Sequence, residues 1–327
     1  MKREIKYRIK SILNSHGAFV ALLLIILAAS VIYSDFMTYT NISNVFRQIS
    51  AKGIVAVGMT FVILTQGIDL SVGSSVALSG ILAAVFSGTS PVLMVAVPLF
   101  TGILIGLING LCIAKLKIAP FIVTLSLMMA VRGVVYILSD EHTMPYGEAG
   151  DALSRFVNSD FLGIPVLTVF FLICLFAAMA AGSRTRFGRN IYAVGGNEDA
   201  ANLMGIPVDR VKILAYVICG FCSALGGLLL SARLGSGQPY VANAWEMDAI
   251  AAVAIGGTSL AGGLGKFSGT FAGVMIVGLV SNIINLQGTL SSWWQNIITG
   301  TILLAVVVIQ SQISLHTERS KRKGEAV

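Results

Sequence analysis

Charge is what this sequence has least of. Only 11% of its 327 residues are Asp, Glu, Lys or Arg, 56% are hydrophobic, and the mean hydropathy is +0.86. A soluble domain carries about 25% charged residues, so much of this surface faces something other than water. Catalytic side chains are scarce as well. His16, His142 and His316 are isolated near the ends of apolar runs and make poor metal ligands. There is no GxSxG, no HExxH and no Gly-rich Walker loop, which leaves no ATP site of that kind. The four cysteines, Cys112, Cys174, Cys219 and Cys222, all lie in apolar stretches. Cys219 and Cys222 have CxxC spacing but no second pair and no neighbouring His, and are read as small apolar residues on one helix face. The net charge of +7 does not point to nucleic acid, because the basic residues sit at the ends of apolar runs.

What is present is long apolar sequence. Crossing about 30 Å of hydrocarbon takes roughly 20 helical residues. Seven runs qualify: 17–34, 91–114, 119–139, 163–182, 211–231, 267–286 and 293–312. Three more, near 45–65, 70–90 and 243–262, are interrupted by QGIDLSVGSS and IGGTSLAGGLG. Such Gly- and Ser-dense stretches are tolerated at membrane depth only inside protein or beside a water-filled cavity. The run after MKREIKYRIK has no small-x-small cleavage site before Asp35, so it is read as an uncleaved first membrane helix.

Basic residues orient the chain. Lys2, Arg3, Lys6, Arg8 and Lys10 precede the first run, Lys115 and Lys117 separate two others, and Arg184, Arg186, Arg189, Arg210 and Lys212 flank the largest basic loop. Arg319, Lys321, Arg322 and Lys323 close the chain. The positive-inside rule makes all of these cytoplasmic. The acid-rich loop 139–162 is then outside. The expected fold is all-α, with about ten transmembrane helices, two Gly-rich broken segments and both termini cytoplasmic. Its divisions are a basic N-terminus 1–16, a membrane domain 17–312 that includes a cytoplasmic loop 183–210, and a tail 313–327. A faint repeat at an offset of 190 residues matches Gly67, Leu70 and Gly73 to Gly257, Leu260 and Gly263, suggesting an internal duplication. Paired Gly-interrupted segments point to a transport path.

Asp69 is the acid set most deeply in apolar sequence. It either lines a pathway for a polyhydroxy substrate or caps a helix beginning near Leu70. Trp245, Glu246 and Asp248 are expected near the outer face, as a vestibule or as an aromatic anchor with capping acids. Arg132 either snorkels or pairs with an acid. The amides Asn282, Asn285, Gln295 and Asn296 suit helix–helix hydrogen bonds. The candidate path residues are Gly67, Asp69, Ser71, Gly73, Ser74, Gly256, Gly257, Thr258, Ser259 and Gly263. A polyhydroxy solute needs partners for each lost water, and backbone groups at helix breaks supply them without full charge. In the basic loop, Asn197 is an N-cap, Glu198 and Asp199 favour a helix start, and Gly205 and Pro207 end it. A short helix of about two turns, fitted to a groove on a soluble partner, is expected there.

Three motifs, VGMTFVILTQGIDLSVGS, GRNIYAVGGNEDAANLMGI and DAIAAVAIGGTSLAGG, together resemble those of the permease subunits of ribose and simple-sugar ABC importers. The similarity runs from about residue 17 to 312. It implies a pair of permease subunits in a bacterial inner membrane, cytoplasmic ATPase subunits that use the ATP, and an extracytoplasmic sugar-binding protein. This chain would bind no cofactor itself and would not be an enzyme. Asn197, Glu198, Ala200, Ala201 and Gly205 would belong to the segment that docks the ATPase, although Glu198-Asp-Ala-Ala departs from the Glu-Ala-Ala spelling of other importers. The motifs do not name the sugar; a ribose-like pentose is favoured. The alternative is an ion-coupled secondary transporter of a small polar solute. That would need a relay of buried ionisable residues, for which Asp69 is the only strong candidate.

Overall fold

The computed structural model describes residues 2–289, 291 and 293–324, and side chains between 17 and 308 among them. The basic termini, His16 and His316 lie outside the described side chains. The helices in order are α1 (Lys2–Ile32), α2 (Tyr39–Leu64), α3 (Val72–Phe86), α4 (Pro91–Ala114) and α5 (Pro120–Ser139). Then come strand β1 (Met144–Pro145), α6 (Glu148–Asn158), β2 (Asp160–Phe161), β3 (Ile164–Pro165) and α7 (Val166–Arg184). Next are α8 (Arg186–Gly196), α9 (Glu198–Leu203), α10 (Val208–Leu234), β4 (Ser236–Gly237), α11 (Trp245–Ile255), α12 (Phe267–Gln287) and α13 (Trp293–Gly324).

Local sequence sets these bounds. Thr38 Oγ1 accepts from Asn41 N at the start of α2, and Ser90 Oγ accepts from Leu93 N ahead of Pro91 in α4. Among the described residues six helices are long and apolar enough to cross a membrane: α2, α4, α5, α7, α10 and α12. Shorter apolar helices cover Gly17–Ile32, Val72–Phe86 and Trp293–Val308. In α2 and α12 the most apolar stretches are 83% and 78% buried, but in α4 and α5 only 28% and 22%. The first pair builds the core. The second turns apolar surface outward, such as Phe121, Ile137 and Phe100, as a lipid-facing helix does.

α10 packs chiefly on α4, α2 and α3. Gly102, Gly106 and Gly110 lie on one face of α4, and a Cβ at any of them would strike the backbone of α10 within 2.3–2.8 Å. Small residues four apart let two membrane helices approach this closely. Asn282 of α12 and Asn41 of α2 exchange side-chain hydrogen bonds of 2.7 and 3.2 Å, as expected for an amide between helices.

The connection from α5 to α7 holds structure that the sequence reading did not foresee: α6 and the antiparallel pairs β1–β4 and β2–β3. Arg47 of α2 donates to Asn158 O at 2.7 Å and pairs with Asp160, fixing this connection to the bundle.

Candidate functional site

The first glycine-rich break separates α2 from α3. Gln66 adopts a left-handed φ of 63° and turns the chain. Asp69 is only 1% exposed. Its Oδ1 accepts from Ser71 N at 2.9 Å, from Ser71 Oγ at 2.6 Å, and from Asn109 Nδ2 of α4 at 3.4 Å. Asn109 Nδ2 also donates to Ser71 Oγ at 2.9 Å, and Ser74 Oγ donates to Ser71 O. Tyr216 of α10 donates its hydroxyl to Ile68 O at 3.3 Å. Asp69 therefore satisfies the N–H of Ser71, the residue just before α3, as the side chain of an Asx turn does. Gly67, Asp69, Ser71, Gly73 and Ser74 are all buried, and in this conformation they present no surface to a solute.

The approach to α11 runs along α3. After β4, where Gly237 packs on Gly80 and Ala84, the chain continues along α3 until Ala242 O meets Gly73. Trp245, Glu246 and Asp248 lie beside the middle of α2 and the first turn of α3. A Cβ on Gly73 would lie 2.6 Å from Glu246 Oε2. Asp248 pairs with Lys52, midway along α2, at 2.6 Å, and Lys52 Nζ stands 5.3 Å from the Trp245 ring centre. Lys52 escaped the sequence reading, yet a cation midway along an apolar helix is itself a signal. Arg132 of α5 donates to Pro239 O and Val241 O at 3.0 and 3.1 Å, holding the turn that leads into α11.

The second break joins α11 to α12. Ser259 N donates to Leu264 O at 2.8 Å, Ala261 N to Ser259 Oγ at 3.2 Å, and Thr258 N to Val253 O at 3.2 Å. Thr258 is buried and Gly257 is exposed, while Gly256, Ser259 and Gly263 are partly exposed. Gly263 N reaches out of its own loop to Leu64 O, the end of α2, at 3.1 Å.

The segment between α7 and α10 folds as two helices. The expected short one is α9: Asn197 Oδ1 accepts from Ala200 N at 2.8 Å, and Ala201 is fully buried beneath it. Gly205 takes φ +77° with open space around its Cβ position, so the need for glycine there is conformational rather than steric. α8 was not anticipated. Thr185 caps it by accepting from Gly188 N at 3.1 Å, and Ile191 and Val194 bury its inner face. Leu203 and Met204 at the end of α9 stand 89% and 70% exposed. Glu198 binds Lys212 at 2.5 Å, and Asp209 binds Lys115 and Lys117 at 2.8 and 3.3 Å. A groove of about 420 Å³ runs between these charges and Asn202.

Residues 41–307, which include both breaks and the α8–α9 segment, match the family described as the branched-chain amino acid transport system / permease component. The chain belongs to this permease family. The permease is 41% identical to the ribose import permease protein RbsC of Bacillus subtilis over 305 residues, which is 93% of this chain and 94% of the relative. It is 41% identical to RbsC of Haemophilus influenzae over 318 residues, covering 96% and 98% of the two chains. It is 38% identical to the L-arabinose transport system permease protein AraH of Escherichia coli over 303 residues, 90% of each. No solved structure matches the permease significantly. It is a multi-pass bacterial membrane protein. Among the described residues no His, Cys, Asp or Glu group could hold a metal ion.

Proposed function

We propose that the permease is the membrane-spanning subunit of an ABC importer that takes up a simple sugar, a ribose-like pentose in preference. A separate cytoplasmic ATPase powers it and an extracytoplasmic binding protein feeds it. The observation that carries this reading is identity of about 40% to ribose and arabinose permeases along 90% or more of the chain. On this reading α1, α2, α3, α4, α5, α7, α10, α11, α12 and α13 cross in alternation, ten in all, with both termini inside and 139–162 outside. The domain bounds are 1–16, 17–312 and 313–327, with the cytoplasmic loop at 183–210. Two copies pair around the path, and the chain performs no chemistry of its own.

α9 is the docking element. Leu203 and Met204 form an apolar knob on a helix whose Asn197, Glu198, Ala200, Ala201 and Gly205 fix its shape. The partly exposed Gly256, Gly257, Ser259 and Gly263, with Thr258 behind them, border the path. Gly67, Asp69, Ser71, Gly73 and Ser74 support it from within.

The test is reconstitution in proteoliposomes with the cognate ATPase and binding protein, with uptake of labelled ribose, arabinose and hexoses. ATP-dependent uptake of a pentose is expected. Uptake driven by a proton or sodium gradient without ATPase would overturn the reading in favour of secondary transport.

A further inference from the structure

Three stretches of backbone meet at one point of the molecule: the end of α2, the end of α8 and the second break. Gly263 N donates to Leu64 O at 3.1 Å, and Gln66 Nε2 donates to Gly195 O at 2.8 Å. The approach is so close that a Cβ at Gly195 would stand 1.8 Å from Leu64 O and 2.5 Å from Gly263 N. Only glycine fits where two other backbones press on a helix in this way. One turn earlier, Tyr192 of α8 donates its hydroxyl to Gly265 O in the second break at 3.0 Å. Above the junction Phe61 of α2 stacks on Phe187 of α8 at 6.1 Å and touches Phe267 of α12 at 4.5 Å. α8 is thus bonded to the first break through Gln66 and to the second through Tyr192, with an aromatic layer joining the same elements.

We propose that Gln66 and Tyr192 are positioning residues that tie α8 to both glycine breaks, so that one displacement of the α8–α9 segment is delivered to both at once. This rests on the reading of α9 as the ATPase dock. The two hydrogen bonds are the parts of the junction that side chains make, and so the parts that substitution can sever without disturbing the backbone. Packed interfaces transmit a displacement because they hold discrete arrangements rather than deforming continuously. The second break also donates Gly263 N to Leu64 O of α2, so all three elements meet in one bonded junction.

The experiment uses the complete complex, with ATPase and binding protein, in proteoliposomes. Gln66→Met keeps the length and flexibility of the side chain but cannot donate, and Tyr192→Phe removes only the hydroxyl. Each is expected to assemble with the ATPase and to keep basal ATP hydrolysis, while sugar taken up per ATP falls about fivefold, the scale of one lost hydrogen bond. The double variant is expected to fall further than either. An unchanged ratio in both single variants overturns the proposal. So does loss of assembly in both, because the bonds would then serve only the fold. A wild-type complex that fails to move sugar would instead count against the importer reading, which separates the two failures.

Discussion

The two glycine-rich breaks solve the same problem in different ways. Each interrupts helix inside an apolar bundle, where every freed N–H and C=O must find a partner. At the first break side chains supply the partners: Asp69 and Ser71 from the break itself, Asn109 from α4 and Tyr216 from α10. At the second the chain bonds largely to its own turn, helped by Ser259 Oγ, borrows Leu64 O from α2, and offers Gly265 O to the Tyr192 hydroxyl of α8. The first is buried throughout its polar core, while the second leaves Gly257, Ala261 and Leu264 exposed. A break knitted to two neighbouring helices by side chains is a fixed frame. A break that bonds largely within its own turn depends less on its neighbours, and it is the one that leaves residues exposed.

The sharpest way to break this comparison is to unmake the frame. Asp69→Leu strands Ser71 N–H and the Ser71 Oγ hydroxyl in the core. Each buried group left unsatisfied costs about 1–3 kcal/mol, so a loss of about 3 kcal/mol is expected, read as a lower midpoint of thermal unfolding in detergent. Asp69→Asn keeps an oxygen in the same position, and both folding and sugar uptake should stay close to wild type. If Asn abolishes uptake while assembly remains normal, the carboxylate acts on the solute and the frame is part of the path.

The next largest effect concerns the ion pair that joins α2 to α11. Removing one partner of a fully buried pair costs about 3–5 kcal/mol. Lys52 and Asp248 retain 22% and 14% side-chain exposure. The cavity beside them, about 20 Å³, has room for one water. Asp248→Leu is therefore expected to cost about 2 kcal/mol, and Lys52→Met in the same chain should recover part of it. Additive losses in that double-mutant cycle would show that the pair does not couple α2 to α11.

Much of this was legible in the sequence. The expected runs 91–114, 119–139 and 267–286 agree with α4, α5 and α12 to within a residue or so, because a long apolar run has few alternatives in a bilayer. The cap at Asn197 and the left-handed Gly205 were legible too, since both depend on neighbours a few residues away. α6 and α8 were missed because they are short, amphipathic and flanked by loops that carry the charge. The meeting of Leu64, Gly195 and Gly263 could not have been read, because in sequence those glycines look like thirty-three others.

A smaller effect is expected at the cytoplasmic end, where the charges that seat α9 are half exposed. Glu198 keeps 38% of its side-chain exposure beside Lys212 at 15%. Exposed pairs contribute about 0.2–1 kcal/mol, so Lys212→Met should leave the unfolding midpoint almost unchanged. Its expected signature is a modest loss of ATPase co-purification that vanishes at high salt, where screening has already weakened the pair in the wild type. A loss as large as that of Leu203→Asp, which places a charge on the apolar knob, would mean that the ion pair rather than the knob makes the dock.

The smallest effect completes the comparison. Ser259→Ala removes the acceptor of Ala261 N in the second break, the counterpart of Asp69 accepting from Ser71 N in the first. Ala261 is exposed, so its freed N–H can turn to water. The cost should be only a few tenths of a kcal/mol, against the several that Asp69→Leu removes, because an N–H that water can reach avoids the desolvation penalty of a buried one. Unfolding of the two variants under identical conditions gives the ratio directly. Comparable losses would mean that the second break is as rigidly held as the first, and the contrast between a fixed frame and a break that depends less on its neighbours would fail. If Ser259→Ala leaves stability untouched but changes which sugars are taken up, the hydroxyl faces the solute, and the exposed break rather than the buried one sets its choice.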